Sequence, residues 1–151
     1  ELAVGMIKIE YPRYDYKIES RAGKESIFDA VRKIWVSLTP EEWVRQNFLQ
    51  YLLQVKQYPA ALTAVEKEIS LGELRKRCDI VIYDRLGKPL MMVECKAMEI
   101  ELGEATMEQV LRYNISLPVK YLIITNGVHC FAFERWDTGF SALSEVPSWN
   151  G

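Results

Sequence analysis

Between Arg75 and Ala97 the chain reads R-K-R-C-D-I-V-I-Y-D-R-L-G-K-P-L-M-M-V-E-C-K-A, and Asp79, Glu94 and Lys96 within it could do chemistry together. Residues 78–83 and 90–97 are apolar runs of strand composition. Asp84, Arg85, Leu86, Gly87 and Lys88 between them read as a hairpin turn. A hairpin symmetric about Leu86-Gly87 sets Asp79 directly opposite Glu94, and opposed residues share a face with Cβ atoms about 5 Å apart. Lys96, two residues on, projects from the same face. Carboxylates this close repel unless a cation sits between them. Hard oxygen donors suit Mg²⁺, and such an ion beside an ammonium can set water against a phosphodiester. A bland alternative is an exposed strand face with a surface Glu-Lys pair. Leu90, Met91, Met92, Val93, Cys95 and Ala97 weigh against it, because they make the strand apolar on both faces. A charge buried there costs several kcal/mol unless paired or coordinated, on the order of 3–5 kcal/mol.

Two helices are expected to frame this pair. Thr39 is a candidate N-cap with Pro40 at the first helical position, and Val44, Phe48, Tyr51, Leu52 and Val55 then form an apolar stripe, which predicts a helix over residues 40–57. Glu41 falls on the stripe side of the wheel; it is read either as an active-site carboxylate or as a first-turn charge favoured by the helix dipole. Glu42 completes a T-x-x-E capping box with Thr39 and is read as structural, while Arg45 can pair with Glu41. Residues 104–116 read as a second helix, on which Gln109 and Tyr113 share a face. They either point together at a ligand or belong to an ordinary amphipathic helix.

In that order, Asp79, Glu94-Cys95-Lys96 and Gln109-x-x-x-Tyr113 resemble the PD-(D/E)xK nuclease superfamily, in its Q-x-x-x-Y branch. The segment Leu38-Thr-Pro-Glu-Glu-Trp-Val-Arg-Gln46 and Asn126-Gly127 look like the opening helix and a strand end of the N-terminal nuclease-like domain of type I restriction enzyme R subunits. The resemblance spans about Ser26 to Trp149. It implies an α/β restriction-endonuclease-like fold, with an αβββαβ core and a central mixed sheet flanked by helices. Mg²⁺, with Mn²⁺ as a substitute, would be held by Asp79, Glu94 and the Cys95 carbonyl. Lys96 would position or activate the attacking water, and Gln109 and Tyr113 would support the site, for hydrolysis of phosphodiesters in DNA. Partners implied are DNA, other restriction-modification subunits and a second copy of the chain. Cys78 stands where the motif has Pro. No G-x-x-x-x-G-K-[ST] occurs, and Gly23-Lys24-Glu25-Ser26 only echoes its end, so no ATP use is expected.

The composition suits one globular domain: 151 residues, 49% hydrophobic and 26% charged. No apolar run has the roughly 20 residues of a membrane-spanning helix. Cys78, Cys95 and Cys130, odd in number and in strand-like runs, read as reduced core thiols of a cytoplasmic protein. His129 reads as a packed residue rather than a catalyst. A net charge of −2 disfavours binding DNA through bulk charge. Arg75, Lys76 and Arg77 lead into Asp79 and form a local basic path for a phosphate, or else a solvated loop. Tyr11, Tyr14 and Tyr16 read as a packing surface more readily than as a stacking platform.

Residues 1–25 are expected to form an extension with strands at 6–10 and 14–18 around Pro12, and residues 26–151 the nuclease-like domain. Met6 is a candidate native start. Residues 26–36 read as a helix with Ile27, Phe28, Val31, Ile34 and Trp35 on its apolar face. Strands follow at 65–71, in the Asp79/Glu94 hairpin, at 120–125 and at 128–134, before a turn-rich tail from Trp136. Trp43, Trp136 and Trp149 would favour an oligomerisation surface if exposed together.

Overall fold

A computed structural model describes residues 5–151. Residues 1–4 of the expected extension lie outside the described residues. The principal strands and helices are β1 (Ile7–Lys8), β2 (Ile18–Arg21), β3 (Lys24–Asp29), β4 (Ile34–Ser37), α1 (Pro40–Gln50), β5 (Thr63–Leu71), β6 (Leu74–Tyr83), β7 (Pro89–Cys95), α2 (Glu104–Asn114), β8 (Tyr121–Thr125), β9 (His129–Trp136) and β10 (Gly139–Leu143). Seven strands form one sheet in the order β1-β9-β8-β7-β6-β5, with β10 also on β9. The pair β7–β8 is parallel and the rest antiparallel, because α2 carries the chain back over the sheet between them. The result is the expected α/β architecture: a central mixed sheet with the order α-β-β-β-α-β from Pro40 onward.

Alternation along the central strands explains why they are apolar on both faces. Ile80, Ile82, Met91 and Val93 pack with Val44, Phe48 and Leu52 on the α1 side. Val81, Met92, Leu122 and Ile124 pack with Met107 and Val110 on the α2 side. Two helices therefore sandwich β6, β7 and β8, and these strands lose the polar face an open sheet would keep. Cys78, Cys95 and Cys130 are all buried free thiols, and burial pushes those of Cys78 and Cys130 up to about 12. They are packing groups rather than nucleophiles. Among the described residues, no helix is long and apolar enough to cross a membrane.

The stretch expected as a helix over residues 26–36 is instead the β3–β4 hairpin, in a separate sheet ordered β2-β3-β4. The spacing of Ile27, Val31 and Ile34 mimics a helical stripe, but Asp29 decides otherwise. Its Oδ1 accepts from the Val31 and Arg32 amides, both at 2.8 Å, and Lys33 takes φ 57° to close the turn. A side chain that satisfies its own turn competes with helical bonding. Residues 14–17 lie outside any strand, although the Lys17 carbonyl accepts from the Phe28 amide at 3.0 Å; the second strand begins only at Ile18. Helix α1 leaves α geometry at Tyr51 for a π-helical turn, Tyr51–Val55, and the tail contributes the unexpected strand β10. The capping box is one-sided: Thr39 Oγ1 accepts from the Glu42 amide at 3.0 Å, while the Glu42 carboxylate is bound elsewhere. Gly127 takes φ 91°, and a Cβ there would meet Val44 Cγ2 at 3.1 Å, so the β8–β9 turn admits no larger residue without strain. Trp43 packs against Tyr16 and Trp149 against Tyr58, both partly buried, while Trp136 is exposed, so the three are not exposed together.

Asp29 is fully buried. Burial pushes its carboxyl up, but hydrogen bonds from the Arg32 backbone and side chain and from Gln46 outweigh it and hold the group below the usual range. As pH falls, the unfolded chain therefore takes up this proton first. The stability Asp29 contributes is complete above the ordinary aspartate value, about 4, and is lost as pH drops from there toward the lowered folded value. Asp29→Asn is expected to flatten the acid limb of a Tm–pH profile below about pH 4. An acid limb unchanged in that variant would contradict the assignment.

Candidate active site

The β6–β7 hairpin opens where its chemistry begins. Tyr83 pairs with Pro89 next to the turn; past a shift of register between Ile82 and Tyr83 the ladder runs through Ile82↔Met91, Val81↔Met92 and Ile80↔Val93, in the expected register, and stops there. At the next position the Asp79 carboxylate takes the place of a backbone acceptor: its Oδ2 accepts from the Cys95 amide at 2.8 Å. The other neighbour of β6 is disturbed at the same level. Val65 pairs with Ile80 and Lys67 with Cys78, but Glu66, opposite Asp79, has φ 56°. Val65 and Ile80 pack on the α1 side and Ile69 and Cys78 on the α2 side, so the alternation of both strands slips at Glu66 and Asp79. A left-handed glutamate costs about 1–2 kcal/mol, and strain of this kind concentrates at functional sites.

The opening makes a cleft of about 330 Å³ lined by Glu41, Glu66, Lys76, Arg77, Asp79, Glu94, Cys95 and Lys96, together with Cys78, Met92 and Val93. Asp79, Glu94, Lys96 and Glu41 are thus brought to one cavity. Glu94 sits between two ammonium groups, Lys76 Nζ at 3.3 Å and Lys96 Nζ at 3.2 Å. Helix α2 supplies the wall of a smaller adjoining cavity of about 130 Å³, which shares Lys76, Glu94 and Lys96 and adds Thr106, Gln109, Val110 and Tyr113. Gln109 and Tyr113 therefore border the far side of Glu94 and Lys96 rather than Asp79. Tyr113 is 64% exposed, and Lys76 Nζ lies 4.4 Å from its ring centroid.

Helix α1 contributes through Arg45, whose part in the site lay beyond its expected pairing with Glu41. The Arg45 guanidinium is surrounded by four carboxylates: Asp79 and Glu66 at 2.6 Å, Glu42 at 2.5 Å and Glu41 at 3.6 Å. Burial opposes its charge, but Asp79, Glu42 and Glu66 more than offset this and hold it protonated. The wheel misjudges the two glutamates. Glu41 is 52% exposed at the rim of the cleft, and its carboxyl is raised by partial burial and by the Asp79 charge. Glu42 is the buried one, bound to Arg45, Arg32 and Gln46. Of the expected basic path, Lys76 points into the site, Arg77 pairs with Glu66 at 2.8 Å, and Arg75 is exposed beside Glu68. Glu66 itself escaped the sequence reading, since in V-E-K-E-I it resembles any solvent-facing strand glutamate. Only the slip in β5 turns it toward Arg45.

The donor set is chemically suited to a hard divalent cation: carboxylate oxygens and a backbone carbonyl around an open polar cleft. Among the described residues, no three acidic, histidine or cysteine side chains converge into a ready-made cage. That is compatible with Mg²⁺, which takes one or two carboxylates and completes its shell from solvent and substrate. No curated protein matches the chain. The family model described as type I restriction enzyme R protein N terminus (HSDR_N) matches residues 40–147, from the first turn of α1 past β10, and so includes every residue lining the two cavities. The chain belongs to the family of type I restriction enzyme R protein N-terminal domains.

Proposed function

We propose that this chain is a metal-dependent DNA nuclease domain of the PD-(D/E)xK type, in the Q-x-x-x-Y branch, acting within a restriction-modification system. The observation that carries the reading is the shared cleft of Asp79, Glu94 and Lys96, set where β6 parts from β7. Asp79, Glu94 and the Cys95 carbonyl would hold Mg²⁺ or Mn²⁺. The ion would supply Lewis-acid stabilisation of charge on the phosphate and the leaving oxygen. The remaining work falls to side chains of the chain. Lys96, held by Glu94, presents an ammonium that orients the attacking water and offsets charge as it develops. Glu41, at the rim with a raised carboxyl, is placed to accept a proton. Gln109 and Tyr113 border the entry on the α2 side, and Lys76 and Arg77 offer positive charge to the phosphate backbone.

The test is cleavage of supercoiled plasmid and of single-stranded DNA in Mg²⁺, Mn²⁺ and EDTA. Cutting is expected with either metal, none in EDTA, and none in a protein carrying Asp79→Ala with Lys96→Ala. Cutting that survives in that double variant would sink the assignment of the site.

One observation favours a second reading, a DNA- or partner-binding module that keeps the fold without turnover. The carboxylates are already matched by Arg45, Lys76 and Lys96. Calorimetric titration with Mn²⁺ separates the two readings. Binding lost in Asp79→Ala supports the nuclease, and absence of binding in the unaltered protein supports the module.

A further inference from the structure

The three-stranded sheet β2-β3-β4 precedes the part of the chain that the family model matches, yet a continuous line of buried polar contacts runs from it to Asp79. Asp29, at the end of β3, accepts from Arg32 Nε at 2.7 Å and from Gln46 Nε2 at 2.9 Å. Gln46 Nε2 also donates to Glu42 at 3.0 Å, and Arg32 Nη2 lies 3.4 Å from the same carboxylate. Glu42 accepts from Arg45 Nη1. The opposite edge of that guanidinium, Nε at 3.2 Å and Nη2 at 2.6 Å, donates to Asp79 Oδ1. Asp29, Gln46, Glu42 and Arg45 are all buried, so no link can be exchanged freely for water.

Stability does not account for such a line. Buried ion networks are often no more stabilising than apolar residues of the same volume, because desolvation offsets the attraction. What they do fix is geometry. A guanidinium is planar and its donors are rigidly spaced, so holding Nη1 on Glu42 fixes where Nε and Nη2 can point. Asp79 is then held at both oxygens, Oδ1 by Arg45 and Oδ2 by the Cys95 amide, with its rotation blocked. We propose that Arg45 is a positioning residue for the Asp79 carboxylate, oriented through Glu42 by Asp29, Arg32 and Gln46, so that the β2-β3-β4 sheet is a working part of the site. This rests on Asp79 being a site carboxylate, as argued above.

Exchange of the Cys95 amide reports the Asp79 carboxylate directly, with or without nuclease activity. In Asp29→Asn and in Arg45→Lys, which keeps the charge but loses the planar fork, the Cys95 amide is expected to exchange about tenfold faster. The amides of Val93 and Ile123 should move far less, beyond the uniform shift that follows from the neutral-pH stability Asp29→Asn loses with its carboxylate. In cleavage, both variants should lose about tenfold in kcat with little change in KM for DNA, as expected for misplacement rather than lost binding. Cys95 exchange within twofold of the unaltered protein in Arg45→Lys, at unchanged Tm, overturns the proposal. So does normal cleavage with a freed Cys95 amide. If Asp29→Asn loosens every amide alike, Arg45→Lys decides. If the unaltered protein cuts nothing but Cys95 responds in both variants, the nuclease reading fails and the positioning line stands.

Discussion

Lys96→Ala is expected to lower DNA cleavage by about 10²- to 10³-fold while leaving the fold intact. The two halves of that expectation have different origins. The kinetic half follows from what a fixed ammonium does in a cleft partly screened from water: charge that develops on the phosphate loses a pre-oriented partner, a loss of about 3–4 kcal/mol in barrier stabilisation. The structural half follows from position. Lys96 lies one residue past the end of β7, its side chain is 35% exposed, and its partner Glu94 keeps Lys76 at 3.3 Å. Surface substitutions of this kind stay within about 0.5 kcal/mol of the parent stability. Lys96→Arg makes the comparison sharper, because a planar fork on a different stem keeps the charge but not the point placement. Cleavage by Lys96→Ala at the unaltered rate, measured at saturating metal, would remove this residue from the mechanism.

Arg45→Met should be among the most destabilising single changes in the domain, by about 3–5 kcal/mol, or roughly 10 °C in Tm. The guanidinium is the shared counter-charge of Glu41, Glu42, Glu66 and Asp79, and its side chain is 8% exposed. Its removal leaves Glu42 with only the longer contact to Arg32 and the amide of Gln46, and Asp79 with only the Cys95 amide. Carboxylates buried without a counter-charge cost more than the salt bridges were worth. The magnitude therefore belongs to what is left behind, and a second change should recover part of it. Arg45→Met with Glu42→Leu is expected to be more stable than Arg45→Met alone, a coupling a thermal double-mutant cycle measures. If the single variant melts within about 1 kcal/mol of the parent, the four-carboxylate arrangement carries no such weight.

The sequence by itself determined the central sheet and singled out Asp79, Glu94 and Lys96, which the fold brings to one cleft. The apolar runs on either side of the Leu86-Gly87 turn set the β6–β7 register, because a one-residue slip would turn every core side chain of the hairpin to the wrong face; the turn itself pairs Tyr83 with Pro89, one residue out, and a bulge at Ile82/Tyr83 absorbs the difference. Thr39-Pro40 marked the start of α1, and the order of elements from there to β8 followed from local period and turn chemistry. Asp79, Glu94 and Lys96 stood out because charged residues interrupt strands that are otherwise apolar on both faces. Other features depended on contacts distant in sequence. The β3–β4 segment carries both a helical and a strand period, and only the Asp29 side chain, satisfied by its own turn and by Gln46 of α1, chose between them. Glu41 and Glu42 both reach Arg45 on their own helix, and the wheel cannot say that Arg32 of the β3–β4 hairpin covers Glu42 and leaves Glu41 at the rim. Glu66 entered the site through a slip in β5 that becomes visible only when β5 lies beside β6. Local patterns record which residues must be buried. Which charges share a burial site is a property of packed elements, because the energy that decides it comes from partners dozens of residues away.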